Sequence, residues 1–215
     1  LTVRTLDRNG RGTLLQSADR LEAVEFVEAS DAAAILYTSG TTGRSKGAVL
    51  THENLATNCL ALLDTWEFDE KDRLIHALPI FHIHGLFVAA NMTLVAGATM
   101  LWLEKFDADA IIDHFATATV LMGVPTFYTR LMASQRLNRD AVANMRLFVS
   151  GSAPLLASDH EAFLARTGHQ ILERYGMTET GMNTSNPYNG ERRPGSVGFP
   201  LPGVEVIVAD PSTGD

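Results

Sequence analysis

The amino-acid sequence predicts an α/β fold, in which a mostly parallel sheet is flanked by helices. From residue 73 to residue 175, short apolar runs alternate with helical segments, a rhythm typical of right-handed βαβ units. From Gly195 the rhythm changes to short strands rich in glycine and proline, which predicts the start of a β sub-domain. Apolar residues make up 46% of the chain and charged residues 20%, which permits a sizeable core. We therefore divide the chain into an α/β part, residues 1–194, and a truncated β sub-domain, residues 195–215.

Local signals support the individual elements in chain order. The run AAAILYT at residues 32–38 is apolar and ends in a Gly/Thr/Ser cluster, which is typical of a strand that feeds a loop. A returning strand at 47–50 precedes a helix that ends near Trp66, with Thr51 as its N-cap and Asn54 three residues on. Pro125 opens a later helix at its first turn. Further strands are predicted at residues 73–78, 99–103, 120–124, 147–150 and 171–175, and further helices at 85–96, 108–117, 125–134 and 156–166.

Composition and charge limit the kinds of partner that the protein is expected to bind and the cellular compartment in which it is expected. The 25 acidic and 17 basic residues give a formal charge of −8, which argues against a sequence-independent grip on nucleic acid. The single cysteine, Cys59, cannot form an internal disulfide, and this favours a reducing, cytoplasmic location. No apolar stretch approaches the ~20 residues that span a bilayer, so no membrane partner is expected. The chain starts at Leu1 and ends in turn-forming residues, which predicts a fragment of a longer protein.

The densest chemical signal is the loop YTSGTTGRSKG at residues 37–47. Gly40 and Gly43 allow consecutive backbone N–H groups to converge on an anion, the hydroxyls add donors, and Lys46 adds a positive charge. Phosphate binding is the function that this composition predicts. The loop is not a Walker loop, because Ser-Lys-Gly stands where Gly-Lys-Ser/Thr is required. On composition alone, an ordinary polar loop rich in glycine remains an alternative.

Four motifs resemble those of the adenylate-forming superfamily, which includes acyl-CoA synthetases, luciferases and the adenylation domains of peptide synthetases. The loop at 37–47 is similar to the family's signature loop, with Ser45 in place of the usual proline. YGMTE at 175–179 is similar to its downstream motif, PIFHIHG at 79–85 to its acyl-pocket segment, and GSAP at 151–154 to its adenine-site turn. Because the four occur in the family's order, the chain is identified as a member of this superfamily.

The resemblance implies a site for ATP and Mg²⁺. The β- and γ-phosphates would be wrapped by Thr38, Ser39, Gly40, Thr41, Thr42, Gly43 and Lys46. The adenine would be bordered by Gly151, Ser152, Ala153, Pro154, Glu173, Arg174 and Gly176, with Tyr175 stacked on it. Thr178 would bind the α-phosphate, and Glu179 would hold Mg²⁺, which prefers carboxylate and phosphate oxygens. Taken alone, Glu179 could equally be a solvated surface acid. The catalytic candidates are Lys46, His82, Thr178 and Glu179.

The histidines in the segment His82-Ile83-His84 have competing interpretations. Alternate histidines on a strand point to one side and suggest zinc, but no third and fourth ligands with suitable spacing follow. The resemblance makes His82 a wall or gate of the acyl pocket, close to the reacting carboxylate, and a structural role is the alternative. His84, which precedes Gly85, is expected to serve packing.

Across nearly its whole length, the chain is most similar to the malonyl-CoA synthetase branch of the family. Malonate retains a second carboxylate, whose burial is costly unless a fixed cation meets it. A guanidinium can grip both oxygens, and Arg130 is the predicted partner, followed by Arg174 and then by Arg192 and Arg193. An exposed Arg130 paired with solvent is the alternative. The substrate-binding candidates are His82, Ile83, Arg130, Ser152, Met177 and Met182.

The resemblance also implies the reaction and the missing parts. The acid would attack the α-phosphate of ATP to give an acyl-adenylate, and the thiol of CoA, a co-substrate, would displace AMP. A C-terminal lid of the same polypeptide, with an essential lysine, and a ribose-binding aspartate are expected outside this chain, so the fragment alone is predicted to be inactive. Two rivals remain: a ligase for another acid (fatty, aryl or amino acid), and a non-catalytic folded module.

Overall fold

The structure, a computed structural model, describes residues 11–13, 25–38, 45–210 and 212–213 of the chain. Ser39, Gly40, Thr41, Thr42 and Gly43 of the predicted phosphate loop therefore lie outside the described residues. The two strands that flank this loop, β1 (Ala32–Thr38) and β2 (Lys46–Thr51), form a separate antiparallel ribbon. In their register Thr38 is paired with Lys46, so the two ends of the loop lie side by side.

The main sheet has seven strands in the order β4-β3-β5-β6-β7-β8-β9. Neighbours from β4 to β7 run parallel, whereas β8 and β9 are antiparallel to the strands that they join. The predicted fold class, a mostly parallel sheet with helices, is confirmed. The sub-domain boundary at residue 195 stays a prediction, and β9 continues this sheet. The strands are β3 (Arg73–His76), β4 (Thr99–Trp102), β5 (Val120–Gly123), β6 (Leu147–Ser150), β7 (Leu172–Met177), β8 (Gly181–Ser185) and β9 (Phe199–Pro200).

The helices in the described part of the chain follow the predicted order. They are α1 (His52–Thr65), a π-helix (His84–Ala90), α2 (Asn91–Val95), α3 (Ala108–His114), α4 (Pro125–Met132) and α5 (Ala157–Thr167). The N-cap of α1 is as predicted. Thr51 Oγ1 accepts from Asn54 N at 3.1 Å, and Asn54 Oδ1 accepts from Thr51 N at 3.0 Å. Asn54 therefore completes the capping box that a glutamate would otherwise form. None of these helices is both long and apolar enough to cross a bilayer.

Two elements differ from the sequence prediction. The single helix expected at residues 85–96 begins as a π-helix, in which the N–H of Asn91 reaches the carbonyl of Leu86 five residues back. Such wide turns often occur at functional sites. The strand expected at 171–175 runs to Met177 and returns as β8, a strand that the sequence did not predict. Thr178 and Glu179 therefore lie in the turn of a β-hairpin, which fixes them more closely than an open loop would.

The centre of the fold anchors the strand ends that carry the sequence motifs. Every residue of β5 and β6 is buried. The rings of Tyr128 and Phe163 meet edge to face at 5.4 Å, and those of Phe148 and Phe163 at 5.0 Å. The hydroxyl of Tyr128 donates to the carbonyl of Val149 at 2.6 Å, which ties α4 to β6. Because this core is tightly packed, the segment that follows β6 starts from a fixed position.

Cys59 on α1 is a free thiol with only 1% of its surface exposed. Burial raises the pKa of this thiol to about 11. Because the thiolate is the reactive form, we expect Cys59 in the folded protein to react with iodoacetamide at pH 7 about a hundredfold more slowly than a free cysteine. Peptide mass spectrometry after timed labelling checks this rate, and fast labelling of Cys59 without unfolding would contradict it. The cytoplasmic location stays a prediction.

Candidate active site

The first candidate cavity lies where the strand order of the sheet reverses. The chain passes from β3 to β4 on one side and then returns across β3 to β5 on the other. In open α/β sheets, ligands bind beyond the carboxyl ends of the strands at this point. A cavity of about 380 Å³ opens there, and we call it the switch-point cavity. It is lined by Leu78, Pro79, His82, Ile83, His84, Gly85, Val124, Ser152, Arg174, Gly176, Met177, Thr178 and Met182.

A second cavity of about 400 Å³ adjoins the first, at the carboxyl ends of β6 and β7. Its walls include the two sequence motifs predicted to border adenine, so we call it the adenine-motif cavity. The structure brings these motifs together although 20 residues separate them in the chain, because β6 and β7 are neighbours in the sheet. The cavity is lined by Ser150, Ser152, Ala153, Pro154, Leu155, Glu173, Arg174, Tyr175, Gly176, Gly195 and Val197. Ser152, Arg174 and Gly176 form the wall that both cavities share.

The hairpin turn after β7 lies against the end of the predicted phosphate loop. Thr38 Oγ1 is 3.5 Å from Glu179 Oε1, although 141 residues separate the two in the chain. Lys46, on the other side of the loop, is exposed and paired with Thr38 across the β1–β2 ribbon. The cation of Lys46 and the carboxylate of Glu179 therefore flank one region of the surface.

The residues around Glu179 fit Mg²⁺ better than they fit a metal held by protein ligands alone. In the described part of the chain, no group of three or more His, Cys, Asp or Glu side chains could hold a metal. This is also why the structure gives no support to a zinc site at His82 and His84. Mg²⁺ keeps several waters and is commonly bound through one or two carboxylates together with substrate phosphates. The exposed carboxylate of Glu179, beside the phosphate-loop strands, meets that requirement.

Arg174 is the most unusual charged residue of the site. It lies on β7 with 3% of its surface exposed, and it lines both cavities. Its Nε and Nη2 atoms find no hydrogen-bond partner among the described residues. Burial lowers the pKa of the guanidinium to about 10, so it still carries its charge at neutral pH. A buried cation without an acid is costly unless a ligand supplies the anion. Arg174 therefore marks the shared wall as an anion site.

His84 is a site residue that the sequence analysis assigned to packing. Its ring is buried, and Nδ1 lies 3.3 Å from the Oγ atom of Ser152 in the shared wall. Its Nε2 atom has no partner in the described part of the chain. Burial, with the nearby charges of Arg174 and His76, holds the pKa of His84 well below its usual value, so the ring is neutral at pH 7. A neutral imidazole supplies one donor and one acceptor and adds no charge to the anion site.

Ser152 holds an unusual backbone conformation, with φ of +67°. Residues other than glycine seldom adopt positive φ, and such positions concentrate at functional sites. The conformation places Ser152 between the two cavities, where its hydroxyl meets His84. A pattern of residue types carries no sign of this strain, so the sequence alone could not reveal it.

Arg130 lines neither cavity, so the structure gives no support to its predicted role as the partner of a second carboxylate, which stays a prediction. Its side chain is exposed, and the guanidinium lies over the ring of Phe106 at 4.2 Å from the centroid. Arg130 lies in the last turn of α4. Arg192 is bonded to the carbonyls of Pro187, Gln170 and Tyr188, and Arg193 pairs with Glu191. Arg174, the second candidate, lines both cavities.

The remaining predicted site residues fall into two groups by exposure. His82 and Met177 are exposed at the mouth of the switch-point cavity, whereas Met182 is buried in its wall and Ile83 is half-buried. Tyr175, predicted to stack on adenine, is 45% exposed at the edge of the adenine-motif cavity. Its partial exposure is compatible with a stacked ligand. Thr178 lines the switch-point cavity beside Gly176, in the same hairpin as Glu179.

Comparison with known proteins bears directly on this arrangement. The family model described as AMP-binding enzyme matches residues 3–215, almost the entire chain. The chain belongs to the AMP-binding enzyme family. This confirms the predicted family membership.

Within the AMP-binding family, several relatives carry malonate in their names. The mitochondrial malonate–CoA ligase of Mus musculus is 44% identical over 192 residues, which cover 82% of this chain and 33% of the relative. The malonate–CoA ligase of Arabidopsis thaliana is 39% identical, over 84% of this chain and 33% of the relative. The chain thus spans about a third of the length of these relatives.

Solved structures agree with the sequence relatives. The ATP-bound MatB of Rhodopseudomonas palustris matches with a TM-score of 0.95 and 61% identity, over 99% of this chain and 43% of that one. A malonyl-CoA ligase in a ternary product complex with methylmalonyl-CoA and AMP matches with a TM-score of 0.82 and 43% identity, over 87% of this chain and 43% of that one. The fold described above is therefore the fold of part of these enzymes.

Proposed function

We propose that the full-length protein is an ATP-dependent acid–CoA ligase that activates malonate through an acyl-adenylate and produces malonyl-CoA. The observation that carries the proposal is the buried guanidinium of Arg174 in the wall of the switch-point cavity, whose Nε and Nη2 atoms have no hydrogen-bond partner among the described residues. A monocarboxylic acid would use its only carboxylate in the reaction and leave this cation unpaired. A dicarboxylic acid supplies a second carboxylate for it. Relatives named malonate–CoA ligases, and MatB structures with ATP bound, support the same acid and nucleotide.

The two adjoining cavities suit a reaction between a nucleotide and an acid. Adenine would occupy the adenine-motif cavity against Tyr175, and the acid would occupy the switch-point cavity. The α-phosphate then falls at the shared wall, within reach of Thr178. Holding the two substrates in adjacent cavities replaces an encounter in solution with a fixed approach of carboxylate oxygen to phosphorus. Mg²⁺ bound at Glu179 would neutralise phosphate charge. Lys46 would add a further cation on the side of the β- and γ-phosphates.

Arg174 and His84 would together receive the second carboxylate. Two nitrogen atoms of the guanidinium, which have no partner in the part of the chain that the structure describes, suit a two-point grip on carboxylate oxygens, and the neutral ring of His84 can add a hydrogen bond. The hydroxyl of Ser152 lies between them. Half-buried Ile83 and buried Met182 limit the space beside the middle carbon of the acid. An acid with a small substituent on that carbon, such as methylmalonate, should be tested as a substrate, because one solved relative holds methylmalonyl-CoA.

We expect the full-length protein, with ATP, Mg²⁺ and CoA, to prefer malonate over propionate by at least about a hundredfold in kcat/KM, on the scale of a charge-assisted pair. Pyrophosphate release and mass spectrometry of the thioester check this over a panel of malonate, methylmalonate, propionate, butyrate and benzoate. Propionate matches malonate in length and lacks the second carboxylate, so it is the control acid. Equal or better turnover of the monocarboxylic acids would overturn the assignment of malonate.

A further inference from the structure

We propose that Asn58, on helix α1, is a positioning residue that fixes the hairpin turn carrying Glu179 relative to the phosphate-loop strands. Asn58 belongs to none of the four sequence motifs, and it is half-buried at the junction of α1 with β8. The inference rests on the proposed function only for the identity of the ligand, a magnesium–nucleotide complex. It does not depend on which acid is activated.

The side chain of Asn58 grips the backbone of one residue at two points. Its Nδ2 atom donates to the carbonyl of Met182 at 2.8 Å, and its Oδ1 atom accepts from the N–H of Met182 at 3.0 Å. On its other side, β8 is paired with β7, where Met182 stands opposite Gly176. The primary amide therefore acts as an extra strand partner at the edge of the hairpin. Both of its polar atoms are used, which distinguishes it from a surface amide with a single contact.

The turn fits closely around this amide. Gly181 has φ of +69°, a conformation that favours glycine, and a Cβ atom there would lie 2.7 Å from Asn58 Oδ1. A Cβ atom on Gly176, across the hairpin, would lie 2.4 Å from the carbonyl oxygen of Gly181. Gly181, which follows Glu179 and Thr180, is thus confined between α1 and β7. The contacts of Asn58 therefore oppose movement of the turn relative to α1.

Helix α1 also anchors the other side of the nucleotide site. It follows directly from β2, which starts at Lys46, and the capping box of Thr51 and Asn54 fixes the join. Asn58 therefore connects the segment that carries Lys46 with the turn that carries Glu179. Across this junction Thr38 Oγ1 lies 3.5 Å from Glu179 Oε1. Asn58 and Glu179 also line the same groove of about 350 Å³ between α1 and the turn. Replacement of the Asn58 side chain would therefore free the carboxylate of Glu179 to move, although Glu179 itself is unchanged.

The test measures the coupling between Mg²⁺ and nucleotide in the full-length protein. The affinity for a non-hydrolysable ATP analogue is measured by calorimetry with saturating Mg²⁺ and with EDTA, and the ratio of the two dissociation constants gives the coupling. We expect Asn58→Ala to reduce this ratio about tenfold, the scale of two lost hydrogen bonds. Asn58→Ser, which can keep at most one of the bonds, is expected to reduce it about threefold and serves if the alanine variant does not fold.

Asn144→Ala is the matched control, because Asn144 Nδ2 donates to the carbonyl of Ala118 at 2.7 Å, remote from both cavities. Both alanine variants are expected to lower the melting temperature, but only the Asn58 variant should change the coupling. An Asn58 variant that loses stability and keeps the wild-type coupling would overturn the inference, as would a wild-type protein without coupling. A wild-type protein with coupling but no malonate turnover would refute malonate as the acid and leave the role of Asn58 to be decided by the variant.

Discussion

Replacement of Arg174 by alanine in the full-length protein is expected to lower kcat/KM for malonate by about a hundred- to a thousandfold, with a much smaller loss for propionate. The guanidinium is buried, charged at neutral pH and free of acid partners in the described part of the chain. Without it, the second carboxylate of malonate would enter the cavity unpaired, at a cost of ~3–5 kcal/mol. Propionate places no charge there, so the ratio of the two rates isolates the contribution of Arg174 to acid selection.

Arg130→Ala is the matched control for this experiment. It removes the same side chain from an exposed position over Phe106, outside both cavities, and the preference for malonate should remain. Arg174→Lys keeps a charge but loses the planar fork, so an intermediate preference is expected. Steady-state rates for both acids, with saturating ATP and CoA, decide the question. Equal losses on malonate and propionate would show that Arg174 supports the nucleotide site and not the choice of acid.

Much of the fold followed from the sequence because its elements are locally encoded. Alternation of apolar runs and helical segments predicted the parallel sheet, and Thr51, Asn54 and Pro125 marked helix starts that the structure contains. The strand β8 was missed because its sequence GMNTS is polar and short, and it gains stability from pairing with β7 and from contacts with α1. Tertiary contacts of that kind have no periodic signature in a sequence.

The candidate site shows the same division between local and tertiary information. The motif residues that line the two cavities could be found from their sequence, since residue types and order identify the family. The contrast between Arg130 and Arg174 could not be found in this way, because it depends on which side chain is buried. Arg130 lies exposed on α4, whereas Arg174 is buried on β7 and forms part of the shared wall. His84 was hidden for a similar reason, since only the fold shows that its ring meets Ser152.

Gly151→Ala is expected to cost malonate activity on a similar scale, about a hundredfold in kcat/KM, through Arg174 and not through the backbone. A Cβ atom on Gly151 would lie 2.4 Å from Cζ and 2.5 Å from Nε of Arg174. Gly151 does not have positive φ, so its backbone conformation suits alanine. The added methyl group must therefore displace the guanidinium, and misplacing a binding group by about 1 Å can cost a hundredfold. The absence of a side chain at residue 151 therefore leaves the space that the guanidinium of Arg174 occupies.

A double-mutant cycle separates this explanation from a general disturbance of the adenine-motif cavity. If Gly151 acts by seating Arg174, then Gly151→Ala should reduce the malonate-to-propionate ratio in the wild-type background and hardly change it when residue 174 is already alanine. If the losses caused by Gly151→Ala and Arg174→Ala simply multiply in the double variant, the added methyl group disturbs the nucleotide-binding cavity independently of Arg174. The affinity for ATP is measured in the same four proteins as a second readout of the cycle. If Gly151 and Arg174 act only on the choice of acid, Gly151→Ala should have the same effect on the affinity for ATP whether residue 174 is arginine or alanine. The guanidinium and the glycine would then act as one unit toward the second carboxylate.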